Sequence, residues 1–214
     1  ITPELTTDSV QKETAHFGEI ISRMNTFLKT ALNSTEPKKK KEAYERLVKY
    51  EEIGDMMEIE ITEYITNLSY KKVTQETSTK LRSFMNIAND LERIGDIYFQ
   101  LCKTLEHKDE TQIYFLPKQR DNLNKMIDLV ALAFKQMNEN LSVQSYSKVE
   151  KKSARKLESQ INQLRDEMRL ENLDRLGDAD YKVNAAMIYN NIFSSLERVG
   201  DHIINVTESV VGEI

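Results

Sequence analysis

The chain has 214 residues, a length that suits one large domain or two small ones. Hydrophobic residues make up 39% and charged residues 30%, so a core and a water-facing surface are both affordable, and a formal net charge of -5 excludes the basic footprint of a nucleic-acid binder. Six Gly, three Pro and no Trp are too little punctuation for a sheet-rich fold with many turns, whereas helix formers such as Ala, Leu, Glu, Lys and Met are plentiful.

In chain order, Thr6, Thr7 and Asp8 are suited to cap a first helix that runs to about Asn33. Pro37 opens a second, ending near Leu68. The lysines from Lys38 to Lys41 read as its solvated first turn in preference to a phosphate or lipid site. A third helix spans about Gln75 to Glu106, and His107 to Leu116 forms the longest connection. Pro117 opens a fourth, to about Asn140, and Ser142 is placed to cap a fifth that continues to about Leu176, closed by Gly177. A sixth ends near Val211. Long helices joined by short turns pack as antiparallel neighbours. The expected fold is therefore all-α, with six long antiparallel helices in two tandem three-helix bundles, residues 1–110 and 111–214.

The single cysteine, Cys102, cannot form an internal disulfide, which suits a reducing cytoplasm. The most apolar run, Leu129 to Phe134, is far short of the roughly 20 residues that span a bilayer. The N-terminus has no signal-peptide pattern, and a start at Ile1 instead of Met suggests a piece of a longer protein or a processed form.

The third helix declares its buried face: Leu81, Phe84, Ala88, Leu91, Gly95, Tyr98, Cys102 and Leu105 follow the spacing of a bundle seam. An offset of 105 carries these onto Ala186, Tyr189, Phe193, Leu196, Gly200, Ile203, Thr207 and Val210 in the sixth, so the chain reads as an internal duplication.

Both helices carry one string, Leu91-Glu92-Arg93-Ile94-Gly95-Asp96 and Leu196-Glu197-Arg198-Val199-Gly200-Asp201. Glu92 and Asp96 are four apart and share a helix face, as do Glu197 and Asp201. Glu51-Glu52-Ile53-Gly54-Asp55 on the second helix repeats the pattern. If the second and third helices pack side by side, Glu51, Asp55, Glu92 and Asp96 converge. Carboxylates so close repel one another and need a bound cation or raised pKa values. An all-oxygen set suits Mg, Ca, Mn or iron. Gly costs roughly 1 kcal/mol against Ala inside a helix, so the recurrent Gly54, Gly95 and Gly200 suggest close approach between helix backbones.

Two similar patterns are set aside. Asp174 to Asp178 falls where the fifth helix should end, and Glu13 with His16 has the spacing of a di-iron site without a second copy. His16, His107 and His202 read as ordinary polar histidines, with His202 a candidate to support Asp201 from outside the ligand set.

The segments from Asn89 to Asp96 and from Ser194 to Asp201 resemble the signature of the PhoU family, and the resemblance extends over essentially the whole chain. It implies two symmetric three-helix bundles that bind multinuclear iron or zinc and regulate phosphate uptake and signalling without catalysing a reaction. The first cluster would use Glu51, Asp55, Glu92 and Asp96; the second would use Glu197 and Asp201 with Glu158, although Asn162 stands where the family has Asp. The implied partners are the membrane domain of a phosphate transporter or phosphate-signalling proteins, with a homodimer as a further assembly. The protein would be cytoplasmic and, by preference, the regulatory part of a sodium/phosphate cotransporter tethered to the inner face of the membrane, with a free-standing PhoU-type negative regulator of phosphate uptake and signalling as the alternative. A carboxylate-bridged metal enzyme is an alternative, disfavoured by the lack of a Glu-x-x-His pair, a Gly-rich phosphate loop and a nucleophile with a base. A structural adaptor is another, with the motif carboxylates paired to Arg93 and Arg198.

Overall fold

Amphipathic stripes decide how this chain packs. All eight seam residues of the third helix and all eight counterparts in the sixth are buried. A computed structural model describes residues 3–69, 73–143, 145–149 and 151–212. It contains α1 (Pro3–Asn33), α2 (Pro37–Ser69), α3 (Gln75–Glu110), α4 (Pro117–Leu141), α5 (Lys152–Asp174) and α6 (Val183–Val211), with one 3-10 turn at Tyr146–Lys148. No strand occurs among the described residues.

α1, α2 and α3 pack against one another, and so do α4, α5 and α6. The two groups meet through α1 on α4 and α3 on α6, so each contact joins helices that hold the same place in the repeat. One core runs through both groups, from Phe17 and Ile21 in α1 to Phe193 and Leu196 in α6. Two buried polar side chains on this contact pair with each other and with the α4 backbone, as burial favours. The Tyr98 hydroxyl of α3 donates to Asn25 Oδ1 of α1 (2.9 Å), and Asn25 Nδ2 donates to the Ile127 carbonyl of α4 (3.0 Å).

The helix ends depart from sequence expectation at four places. α1 already begins at Pro3, so Thr6, Thr7 and Asp8 lie within it. A first-turn Pro loses nothing, because its missing N–H would have no intrahelical acceptor there. α3 runs on to Glu110 and shortens the following connection to residues 111–116. Lys108 holds that end: its ammonium donates to Asp109 Oδ1 (2.8 Å) and the Ile113 carbonyl (3.2 Å) and sits 5.3 Å from the centre of the Phe115 ring.

Ser142 closes α4 instead of opening α5: its N–H and its hydroxyl both donate to the Asn138 carbonyl. α5 starts at Lys152, after the 3-10 turn whose Tyr146 ring lies edge-on to Phe84, 6.0 Å between centroids. α5 therefore has 23 residues against 33 in α2. Gly177 does not cap it either. Arg175 occupies the cap, binding Asp178 and Asp180 through its guanidinium, and the glycine that takes the left-handed conformation is Gly212 after α6, at φ 78°.

Candidate functional site

α2 and α3 lie side by side over α1, and two motif glycines make that seam close. A Cβ on Gly54 would come 3.1 Å from Ile21 Cδ1, and one on Gly95 would come 3.4 Å from the same atom. The close approach is thus to a side chain of α1, received between the two motif helices, and not backbone to backbone as the glycine pattern alone suggests.

With the apolar face fixed on Ile21, the following aspartates emerge on the outer side of the α2–α3 seam. Glu51, Asp55 and Asp96 each bring a carboxylate oxygen within 4.8 Å of the others. Glu51 is half-buried; Asp55 and Asp96 are exposed. Glu92, one turn back on α3, is half-buried at the edge of this group and feels it electrostatically.

Burial pushes the Glu51 carboxyl above its ordinary value, and the charges of Asp55, Asp96 and Glu52 push the same way. Asp55 is raised by burial, then by Asp96 and Glu58. Glu92 is raised by burial, then by Asp96 and Asp55, with Glu58 adding and only Arg93 opposing. No ion pair holds Glu51, Asp55, Glu92 or Asp96 among the described residues. An uncompensated all-oxygen group of this kind has the donor chemistry of a hard or borderline cation site, so the residues fit a bound metal. Glu58 was not singled out from sequence. Its signal was available, because it lies one turn beyond Asp55 on the same face of α2.

The second half is built differently. Glu197 and Asp201 share a face of α6, but Glu197 is ion-paired with Arg165 of α5. Glu158 accepts a hydrogen bond from Asn162 Nδ2 within its own helix (3.0 Å). Glu197 is raised by burial and then by Asp201, against the pull of Arg165 and Arg169. Asp201 is raised by burial, against His202, Arg165 and Arg198. The structure therefore does not gather Glu158, Glu197 and Asp201 as it gathers Glu51, Asp55 and Asp96. Neither Arg93 nor Arg198 forms an ion pair with a motif carboxylate among the described residues; Glu197 pairs instead with Arg165, which carried no signal in the sequence.

The residues set aside have internal roles. His202 acts on Asp201 electrostatically while its Nδ1 lies 2.8 Å from Asp90 Oδ1, where Asn205 Nδ2 also donates (3.3 Å), so these three join α6 to α3. Lys39, Lys40 and Lys41 pair with Glu36, Asp109 and Glu45, consistent with a solvated first turn. His16 lies exposed, 3.9 Å from Glu19.

Comparison with known proteins places this geometry in a context. The PhoU domain matches residues 16–105, the stretch that holds Glu51, Asp55, Glu92 and Asp96. The phosphate-specific transport system accessory protein PhoU homolog 1 of Thermotoga maritima is 27% identical over 134 residues, which cover 60% of this chain and 54% of that protein. The match thus spans about half the length of that relative. Among solved structures, the phosphate transport system regulatory protein PhoU from Streptococcus pneumoniae superposes with a TM-score of 0.80 at 20% identity, covering 98% of this chain and 95% of that one. PhoU from Pseudomonas aeruginosa gives 0.75 at 16% identity, covering 98% and 97%. At these identities the structural likeness speaks for the fold, the six-helix arrangement described above.

Proposed function

We propose that this chain, whose residues 16–105 match the PhoU domain, is a PhoU-type accessory regulator of phosphate transport carrying a carboxylate-bound metal site on its first bundle. The observation that carries the metal reading is the convergence of Glu51, Asp55 and Asp96 within 4.8 Å, with no basic partner among the described residues. These three would hold the ion, with Glu92 and Glu58 adding negative field beside them. Iron or zinc, as one ion or a small cluster, is the assignment; Mg, Mn and Ca share the preference for oxygen donors. A bound cation would neutralise the acidic face and offer coordination to an oxyanion such as phosphate.

The relatives are named as accessory or regulatory proteins of phosphate transport, which supports a regulator without catalytic chemistry. It also favours a PhoU-type accessory protein over the cytosolic domain of a sodium/phosphate cotransporter. The partners in this reading are the membrane part of a phosphate transporter or a phosphate-signalling protein, met from the cytoplasmic side, with a second copy of the chain as a further partner. No helix among the described residues is long and apolar enough to cross a membrane.

The test is direct. Protein stripped with a chelator is titrated with Zn²⁺ or Fe²⁺ and followed by calorimetry and elemental analysis, beside the Glu51→Gln/Asp96→Asn variant. Binding should be present in the first and absent in the second. Equal metal content in both proteins, whether zero or not, removes the site.

A further inference from the structure

We infer that the second bundle carries its cation in its own sequence: the Arg165 guanidinium takes the place of the metal, so metal binding is confined to the first bundle. This rests on the metal reading of Glu51, Asp55 and Asp96 given above.

The motif helices of the two halves of the repeat can be compared position by position. α3 maps onto α6 with both carboxylates kept, Glu92 and Asp96 becoming Glu197 and Asp201. Matching Glu51 and Asp55 of α2 to Glu158 and Asn162 of α5 brings Glu58 onto Arg165. Where the first bundle presents five carboxylates, the second presents three, one amide and one guanidinium. The change at the last position is a full reversal of charge.

The reversed charge is used. Arg165 contacts Glu197 across the α5–α6 seam, and the two side chains are only 19% and 13% exposed. A planar guanidinium binds a carboxylate through a fixed fork and stays charged at any relevant pH. Arg165 also lowers the pKa of Asp201 as well as that of Glu197, so it answers both motif carboxylates. Its Nε donates to Asp166 (2.8 Å), and Arg169 adds positive field one turn further along. A divalent ion at this place would have to break a largely buried ion pair and settle beside a cation. The Asn162 Oδ1 atom, buried and without a hydrogen-bond partner, is what remains of the α5 ligand position.

The apolar packing beneath has changed in step. Ile161 occupies the position that Gly54 holds in α2, and it packs on Gly200, where a Cβ would lie 3.2 Å from Ile161 Cδ1 and 3.3 Å from its Cγ2. In the first bundle the glycines of both motif helices receive Ile21 from α1; in the second, α5 itself supplies the isoleucine. The α5–α6 seam is thus filled from within, and its outer side is closed by an ion pair.

The experiment is Zn²⁺ and Mn²⁺ titration of the full chain, with metal content read by elemental analysis. Asp201→Asn should leave the wild-type stoichiometry unchanged, and Asn162→Asp/Arg165→Glu should double it. Loss of bound metal in Asp201→Asn would overturn the inference, as would a folded Asn162→Asp/Arg165→Glu protein that binds no more metal than wild type. If wild type binds no metal at all, the first-bundle reading fails, while the gain or its absence in the double variant still decides this one. Should that variant not fold, Arg165→Gln provides a second measure. It should lower the melting temperature, and the drop should be smaller in a Glu197→Gln background; equal drops in both backgrounds would overturn the role assigned to Arg165.

Discussion

Replacing a carboxylate in the first bundle should stabilise the metal-free protein. Asp55 has two carboxylate neighbours, Glu51 and Asp96, with oxygens within 4.8 Å. In a water-like dielectric, like charges at that distance cost about 0.9 kcal/mol per pair. Asp55 is exposed, and salt and side-chain freedom reduce surface interactions of this kind, leaving a total of about 1 kcal/mol. For a chain of this size that corresponds to about 2–4 °C in melting temperature. Asp55→Asn keeps the shape of the side chain and removes its charge. Thermal melts followed by circular dichroism, with chelator present and little salt, should therefore place the variant above wild type by that amount. The gain should shrink in molar salt and invert when Zn²⁺ is added, since only wild type then gains from the ion. A metal-free variant that melts at or below wild type at low salt would refute the reasoning, because it would mean that a favourable contact holds Asp55.

The same carboxylates set a pH dependence whose sign is opposite to that of salt-bridged acids. Glu51, Asp55 and Glu92 are raised in the fold, so the stability they confer is complete below their unfolded values and is lost as pH rises through the folded ones. Urea denaturation of metal-free protein should give a loss as pH rises above the ordinary carboxylate range that is smaller in Glu51→Gln/Asp55→Asn; an equal loss in both proteins would show that other groups set the slope. Tyr98→Phe removes the donor to Asn25 Oδ1 in the contact between the bundles and should cost about 1–3 kcal/mol by the same method, a buried acceptor being left unpaired. Ile161→Ala should cost about 2–5 kcal/mol, since the side chain is buried against Gly200 and a rigid seam collapses only in part. Faster amide hydrogen exchange in α5 should accompany it.

The helices were legible because their periodicity is a property of the chain itself. The seam from Leu81 to Leu105 repeats at the helical spacing, and every member is buried. The ends were less legible because the same residue type can serve either end. Ser142 has the side chain of an N-cap, yet its hydroxyl turns back to the Asn138 carbonyl and closes α4. What sets the start of α5 is a 3-10 turn seated on Phe84, a residue more than fifty positions earlier in the chain, and no local pattern reports such a contact. α3 runs beyond Glu106 for a similar reason. Lys108 and Phe115 secure its last turn through a carbonyl and a ring that lie outside the helix.

The site divides along the same line. Glu-x-x-x-Asp on α3 and α6 was legible because a four-residue step keeps two carboxylates on one face whatever the neighbouring helix offers. What answers that face depends on the helix opposite. In the first bundle, Glu51 and Asp55 of α2 add negative charge to that face; in the second, Arg165 of α5 sets a positive charge against it. Packing holds both copies of Leu-Glu-Arg-Ile/Val-Gly-Asp to one pattern, since Leu91 and Leu196 are fully buried and Gly95 and Gly200 each lie against an isoleucine. Electrostatics sets a looser condition, that a half-buried carboxylate pair find positive charge, and a metal or a guanidinium can meet it. A motif preserved in both halves of a repeat therefore presents the same faces in each, while the matched pair Glu58 and Arg165 reverses the charge set against them.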